Sequence, residues 1–174
     1  MPTDAIAFLD VEASSLSHGF PLEVAWCSAD LLHGASYLVR PAPGWLDRFA
    51  WTREAEALHG LTRERVAAEG LPADEVADRL AADLAGRIVR SDNPSFDGGW
   101  LRLLRDPPPV ALDHATAPGG PALGAKSDLT PHRALDDAVL LAMAFASFGD
   151  GAAPLPPEEA LTRGHALVAR CGRR

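Results

Sequence analysis

The chain begins with a pattern of apolar and polar positions that is typical of β-strands. Three short segments rich in β-branched, aromatic and other apolar residues occur before residue 41, and a turn-forming stretch, Asp30–Gly34, separates the last two. They are Ile6–Val11, Leu22–Ser28 and Ala35–Arg40. Because a short connection favours antiparallel pairing, the pattern predicts a three-stranded antiparallel meander.

After residue 43 the apolar positions take the spacing of helices. Thr52 and Thr62 are favoured N-cap residues of two short helices, and the pair His59-Gly60 ends the first of them. A longer amphipathic helix follows Pro72, and its acidic residues, Asp83 included, are expected on a solvated face.

The rest of the chain alternates between strand, helix and loop patterns. A strand is predicted at Arg87–Ser91, a helix at Phe96–Leu104, and a surface loop at Asp106–Gly124 that contains a brief strand at Val110–Leu112. A largely buried helix is predicted to start at Thr130-Pro131, run through His132 and end at Phe148. A loop at Gly149–Pro157 and a helix at Glu158–Cys171 complete the chain. At 174 residues, with 47% apolar and 23% charged residues, the chain suits one domain over residues 1–174.

Charge and cysteine content narrow the function classes. A net charge of −8 argues against an extended nonspecific grip on duplex nucleic acid, although a local basic rim is compatible with it. Cys27 and Cys171 lack zinc-site spacing, so we interpret both as reduced packing residues. A basic-then-apolar leader and a long apolar run are both missing from the sequence, which predicts a cytoplasmic protein without a membrane partner.

Two acids stand near the end of the first predicted strand. Alternate side chains of a strand share a face, so Asp10 and Glu12 point one way while Leu9 and Val11 point the other. Like charges held together repel unless a cation lies between them, and Mg²⁺ prefers carboxylate oxygen. In so acid-rich a chain an Asp-x-Glu triplet arises by chance about once, so a strand that ends in solvated acids is the alternative.

Three motifs in order along the chain strengthen the metal interpretation. They are Phe8-Leu9-Asp10-Val11-Glu12, Ser95-Phe96-Asp97 and His132-Arg133-Ala134-Leu135-Asp136-Asp137-Ala138. This set resembles the motifs of the DEDDh 3′-to-5′ exonucleases, which include proofreading exonucleases and oligoribonuclease, and Leu58–Thr62 resembles a segment found between the first two motifs in many members. The resemblance implies an α/β, ribonuclease-H-like fold, in which a mixed sheet of the meander plus one or two further strands is flanked by helices.

The resemblance also implies the roles of the site residues. Asp10, Glu12, Asp97 and Asp137 would hold two divalent cations, Mg²⁺ or Mn²⁺, and His132 would be the general base. Two such ions supply both a nucleophile from water and neutralisation of the leaving oxygen, and a histidine with an ordinary pKa of about 6.5 can accept a proton at neutral pH.

Three more residues are candidate substrate contacts. Leu16 falls where the family places an apolar residue that packs against the terminal bases, His59 is a candidate contact with the terminal nucleotide, and Phe96 is adjacent to the second motif. Each has a structural alternative, since leucine and phenylalanine are usually core residues and His59 can simply end a helix.

The implied function is a metal-dependent 3′-to-5′ exonuclease that acts on short single-stranded DNA or RNA 3′ ends. The alternative is a noncatalytic module that binds nucleic acid or a polymerase through the same cleft; a polymerase partner or a homodimer is left open. Two departures from the family bear on the substrate: Ser91-Asp92-Asn93 replaces a His-Asn pair, and only 35 positions separate Asp97 from His132.

The third motif contains adjacent acids, of which only one fits the family spacing. In a helix that includes His132, Asp136 would lie nearer the histidine, and Asp137 would lie about 140° away. Family spacing nevertheless selects Asp137, which requires His132 to leave the helical register.

Overall fold

A five-stranded mixed β-sheet forms the centre of the molecule. The structure is a computed structural model, and it describes residues 5–115, 129, 132–148 and 155–171. The strands, in chain order, are β1 (Ile6–Ala13), β2 (Pro21–Ser28), β3 (Gly34–Leu38), β4 (Ile88–Ser91) and β5 (Leu112–His114). They lie in the order β3-β2-β1-β4-β5. The first three pair antiparallel, whereas β4 pairs parallel with β1 and β5 parallel with β4. The predicted meander and the mixed-sheet fold class are therefore confirmed.

Seven helices are present among the described residues. They are α1 (Trp45–Arg48), α2 (Arg53–His59), α3 (Arg63–Glu69), α4 (Ala73–Asp83), α5 (Pro94–Leu104), α6 (Ala134–Phe148) and α7 (Pro157–Cys171). Thr52 and Thr62 cap α2 and α3 through their side chains, as predicted, and Gly60 ends α2 with a φ of 70°.

The sheet separates two hydrophobic cores, because successive side chains of β1 point to opposite faces. Leu9 and Val11 pack on one face with α4 and α5, and Phe8 packs on the other face with α6 and α7. The second face is covered closely, since Gly164 of α7 lies directly against Met143 of α6. Asp10 and Glu12 lie on the same face of the sheet as Phe8, further towards the C-terminal end of β1.

The prediction that the helix of the third motif includes His132 and Arg133 is wrong. The helix begins at Ala134, and His132 has a φ of 62°, which lies in the left-handed region that no helix residue adopts. Arg133 is not part of the helix, and its side chain is hydrogen-bonded to Glu23 of β2. The proposed cap at Thr130-Pro131 lies outside the described residues, as do 116–124 of the predicted surface loop and 149–154 of the predicted loop before α7.

Two smaller predictions are corrected. The brief strand occurs at Leu112–His114, not at Val110–Leu112, because its first residue pairs with Val89 of β4 after the run of prolines. Asp83 is not a solvated acid, since its Oδ2 accepts hydrogen bonds from Trp26 Nε1 at 3.0 Å and from the Tyr37 hydroxyl at 2.6 Å.

Cys27 and Cys171 are free, and Cys27 is fully buried in the second core, in line with a packing role. Among the described residues, every helix is too short or too polar to cross a lipid bilayer.

Candidate active site

Strands β1 and β4 bring the first acids together. They run parallel, so both end at the same edge of the sheet, and Asp10 and Asp92 each follow the last recorded pair, Phe8 with Arg90, by two residues. Asp10 and Glu12 lie in the second half of β1, where Glu12 is 9% exposed. The same edge receives Asp97 from the helix that follows β4.

Asp97 is held in the first turn of α5. Pro94 begins this helix, and a proline costs nothing there because the first N–H groups of a helix have no partner. The Ser91 hydroxyl donates a hydrogen bond to Asp97 Oδ2, and the Asp97 side chain is buried. Ser91 also accepts a hydrogen bond from the Asn93 N–H, so the turn between β4 and α5 is fixed around this hydroxyl.

His132, just before α6, and Asp137, in the first turn of α6, reach the same place. The His132 backbone N–H donates to Asp137 Oδ2 at 2.8 Å, and the Asp137 N–H donates to the Arg133 carbonyl at 3.0 Å. The left-handed turn at His132 thus places Asp137, not Asp136, beside the histidine. The family spacing and this geometry select the same acid.

The potential ligand atoms fall into two groups. Glu12, His132 and Asp137 form one, and Asp10, Asp92 and Asp97 form the other, with the ligand atoms of each group within 4.8 Å of one another. Sequence reasoning missed Asp92, which the β1–β4 register brings next to Asp10. The parallel pairing of these strands was the signal that could have found it, and it was not readable from periodicity.

Burial raises the pKa of each acid that the motifs select. It raises the pKa of Asp10 well above its usual range, with Asp97 and Glu12 adding repulsion. Burial, then the charge of Asp137, raises the pKa of Glu12 to about 8. Burial likewise raises the pKa of Asp97 to about 7 and the pKa of Asp137 to about 6, against the hydrogen bonds from Ser91 and His132. Four such carboxylates cannot all ionise near neutral pH without added positive charge.

The donor set fits divalent cations. Carboxylate oxygens predominate in both groups, as hard ions such as Mg²⁺ and Mn²⁺ require, and positive charge would offset the repulsion that raises these pKa values. Asp10, Glu12, Asp97 and Asp137, together called the carboxylate cluster below, are the residues that would hold the ions.

Solved structures of exonuclease I share this arrangement of strands and helices. Exonuclease I of E. coli in complex with a dA16 oligonucleotide matches with a TM-score of 0.62 and 14% identity, over 95% of this chain and 42% of that chain. The chain has the fold of exonuclease I. A zinc-bound form of the E. coli complex with single-stranded DNA gives 0.52 and 13%, over 97% of this chain and 41% of that one.

A moderately thermophilic exonuclease I from Methylocaldum szegediense gives a TM-score of 0.52 and 17% identity, over 95% of this chain and 40% of that chain. The chain thus spans about two fifths of the length of these exonuclease I structures. No protein-family model and no curated protein matches the sequence.

The candidate substrate contacts differ in their exposure on this exonuclease I fold. Leu16 is 73% exposed and Phe96 is 46% exposed, with the Phe96 ring stacked on Trp100. His59 is only 5% exposed, and its Nδ1 accepts a hydrogen bond from the Leu61 N–H. Burial lowers the pKa of His59, which favours the neutral ring.

His59 ends α2, as its structural alternative predicted, while its ring also borders a cavity of about 430 Å³. Leu58, Arg133 and Asp136 line the same cavity, which places it beside the carboxylate cluster.

Sequence reasoning also missed Glu23, a buried acid in β2 directly opposite Glu12. An acid inside the apolar run Leu22–Ser28 was the available signal. Although burial raises its pKa, the hydrogen bonds and charge of Arg133 outweigh that effect, and the pKa of Glu23 is lowered. Arg133 is bound to Glu23 through two hydrogen bonds of 3.0 Å.

Proposed function

We propose that the chain is a metal-dependent 3′-to-5′ exonuclease of the DEDDh type. The observation that carries the proposal is the convergence of Asp10, Glu12, Asp97 and Asp137 with an exposed His132 at one sheet edge. These residues come from three segments far apart in the chain. A noncatalytic binding module would have no use for a complete ligand set with a histidine beside it.

Each residue has a role in hydrolysis of the terminal phosphodiester. When bound by the carboxylate cluster, divalent cations would neutralise phosphate charge and lower the pKa of a water molecule. His132, exposed to solvent and next to Glu12 and Asp137, accepts the proton of that water at a ring nitrogen. The oxygen of the water bonds to phosphorus, the bond from phosphorus to the 3′ oxygen of the preceding nucleotide breaks, that oxygen takes a proton from solvent, and a nucleoside 5′-monophosphate leaves.

The surroundings of the cluster favour a single-stranded end. Leu16 and Phe96 offer apolar surface on which unpaired bases can stack or pack, and this contact does not read base edges. The two E. coli exonuclease I structures named above contain a dA16 oligonucleotide or single-stranded DNA, and the shared fold supports the same class of ligand for this chain. DNA and RNA are both within the proposal.

The direct test is incubation of a 5′-labelled single-stranded oligonucleotide with the protein and Mg²⁺ or Mn²⁺. We expect a ladder that shortens from the 3′ end, release of nucleoside 5′-monophosphates, and no cleavage in EDTA. The control is the same protein with His132→Ala, which retains all four carboxylates.

RNA and DNA of one sequence should be run side by side, together with a binding assay on the same oligonucleotides. Tight binding without cleavage under either metal would establish the noncatalytic module instead.

A further inference from the structure

Glu23 has a full set of hydrogen-bond donors, although it lies next to the carboxylate cluster. Its Oε1 accepts from the Ser36 hydroxyl at 2.6 Å and from Arg133 Nη2 at 3.0 Å. Its Oε2 accepts from Arg133 Nε at 3.0 Å and from the Ala134 N–H at 3.4 Å. Because both oxygens are occupied, Glu23 is a poor candidate for a fifth metal ligand.

Arg133 connects this acid to the residues that act in catalysis. It follows His132 directly, and its carbonyl accepts the Asp137 N–H that begins the first turn of α6. The two parallel hydrogen bonds to Glu23 fix both the position and the orientation of the guanidinium. Only 25% of the Arg133 side chain and 3% of the Glu23 side chain are exposed, so water competes little for this pair.

The pair spans the gap between two parts of the site. Glu23 belongs to β2 and lies opposite Glu12 of β1, while Arg133 belongs to the segment that carries His132 and Asp137. This ion pair joins the third-motif segment to the sheet. A left-handed backbone at His132 is unfavourable for a residue with a side chain, so it persists only where neighbouring contacts hold it.

We propose, resting on the exonuclease function above, that Glu23 and Arg133 form a clamp that positions His132 over the carboxylate cluster. Neither residue touches the reacting atoms. The clamp sets the distance between the base on the α6 segment and the acids on β1, which affects the chemical step. Leu16 and Phe96 lie on other segments, so packing of the terminal bases on these two side chains does not depend on the clamp.

The test compares Arg133→Lys, Glu23→Gln and the double variant with the parent. Lysine keeps the charge but loses the fork, and glutamine keeps the size but loses the charge. We expect kcat on a single-stranded oligonucleotide to fall about 100-fold in each single variant, since small misplacements cost that much. KM should stay within about threefold. The double variant should be no slower than the slower single variant, because the two residues act as one unit.

Asp78→Asn is the matched control. It removes the charge of the exposed Asp78–Arg105 pair, a single contact of Arg105 Nη2 with Asp78 Oδ1 at 2.6 Å that lies away from the site, and it should leave kcat unchanged. Additive losses in the double variant, or a rise in KM at constant kcat, would overturn the clamp. Circular dichroism identifies any variant that fails to fold, and in that event the milder Arg133→Lys variant decides.

A second measurement does not need turnover. In NMR spectra of the metal-free protein with labelled histidine rings, the His132 signals should shift or broaden in Arg133→Lys, while those of His18 stay in place. Unchanged His132 signals contradict the clamp. If the parent itself releases no nucleotides, the proposed function fails, and the NMR comparison still tests the clamp.

Discussion

His132 and Asp137 act as a pair because the chain enters α6 through a left-handed residue. The backbone N–H of the histidine donates to the Asp137 carboxylate, which also lies beside Glu12. Asp136 is buried and borders the neighbouring cavity instead. At the scale of single residues, this one-position difference determines which acid lies next to His132.

We therefore expect Asp137→Asn to lower metal-dependent kcat about a thousandfold, or about 4 kcal/mol in activation free energy. The amide can still accept from His132 but cannot neutralise a cation. Asp136→Asn, its matched neighbour, should retain activity within about tenfold. Steady-state rates at saturating Mg²⁺ measure both variants, and the reverse ranking would falsify the assignment.

The raised pKa values of the cluster predict how stability depends on pH without metal. A carboxyl whose pKa is higher in the folded state binds more protons folded than unfolded, so the free energy of unfolding falls as pH rises. For Glu12, Asp97 and Asp137 the destabilisation is absent below the ordinary values near 4 and complete above about 8, the folded pKa of Glu12, and Asp10, whose pKa is raised well above its usual range, acts in the same direction. Denaturant titrations in EDTA from about pH 5 to about pH 8 should show this loss.

Adding Mg²⁺ should reduce this slope, because a cation bound only by the folded state stabilises it and displaces the protons. The Asp137→Asn variant should also show a shallower slope in EDTA. A stability that rises with pH over this window, or that ignores Mg²⁺, contradicts the predicted cation site.

At the scale of elements, α6 is held against the sheet by α7, and the two helices approach closely at Gly164. A methyl group there would lie 2.7 Å from Met143 Sδ and 2.9 Å from Val139 Cγ1. The methionine can move aside, whereas the β-branched valine has little freedom.

We expect Gly164→Ala to destabilise the protein by about 1–3 kcal/mol through overpacking. Gly99→Ala in α5 is the control, and it is expected to stabilise the protein. Nothing lies within 4 Å of the added methyl, and alanine is the better helix former by about 1 kcal/mol. Thermal or denaturant unfolding of both variants checks the signs. Equal effects of the same sign would show that helix propensity, not helix contact, governs α7.

The elements also show how far the sequence could be interpreted. The meander, the caps Thr52 and Thr62 and the position of Asp97 in the first turn of α5 were predictable because periodicity and capping are local signals. The start of α6 was not predictable. Arg133 contacts Glu23, which is 110 positions away, and the helix begins only at Ala134. Asp92 was missed and Asp83 was misjudged for the same reason, because contacts distant in sequence determine their surroundings. The β1–β4 register places Asp92, and a hydrogen bond from Trp26 holds Asp83.

For the whole molecule, charge and available bases limit the length of substrate that can be bound. The net charge is −8, and four bases lie close in sequence to the second and third motifs. Arg133 is paired with Glu23, and Arg105 is paired with Asp78. Arg102 of α5 is exposed, and Lys126 lies outside the described residues. Binding should therefore depend on the last few nucleotides.

Short single-stranded oligonucleotides should accordingly be degraded at least as efficiently per end as long ones. A blunt duplex should be poorer, because unpairing its end costs a few kcal/mol. The measurement is kcat/KM over a series of lengths at one fixed salt concentration, since phosphate binding varies steeply with salt. A steady gain with length beyond a handful of nucleotides would reveal an extended binding surface.

The division of the molecule into two cores has a consequence for partial unfolding. Asp97 is held by α5, which belongs to the first core, and Asp137 and His132 are held by α6, which belongs to the second. Local opening on either side of the sheet carries away part of the ligand set while the rest stays folded. For the proposed exonuclease, hydrolysis would therefore require both sides of the sheet to be folded at once, and a half-opened chain is expected to be inactive.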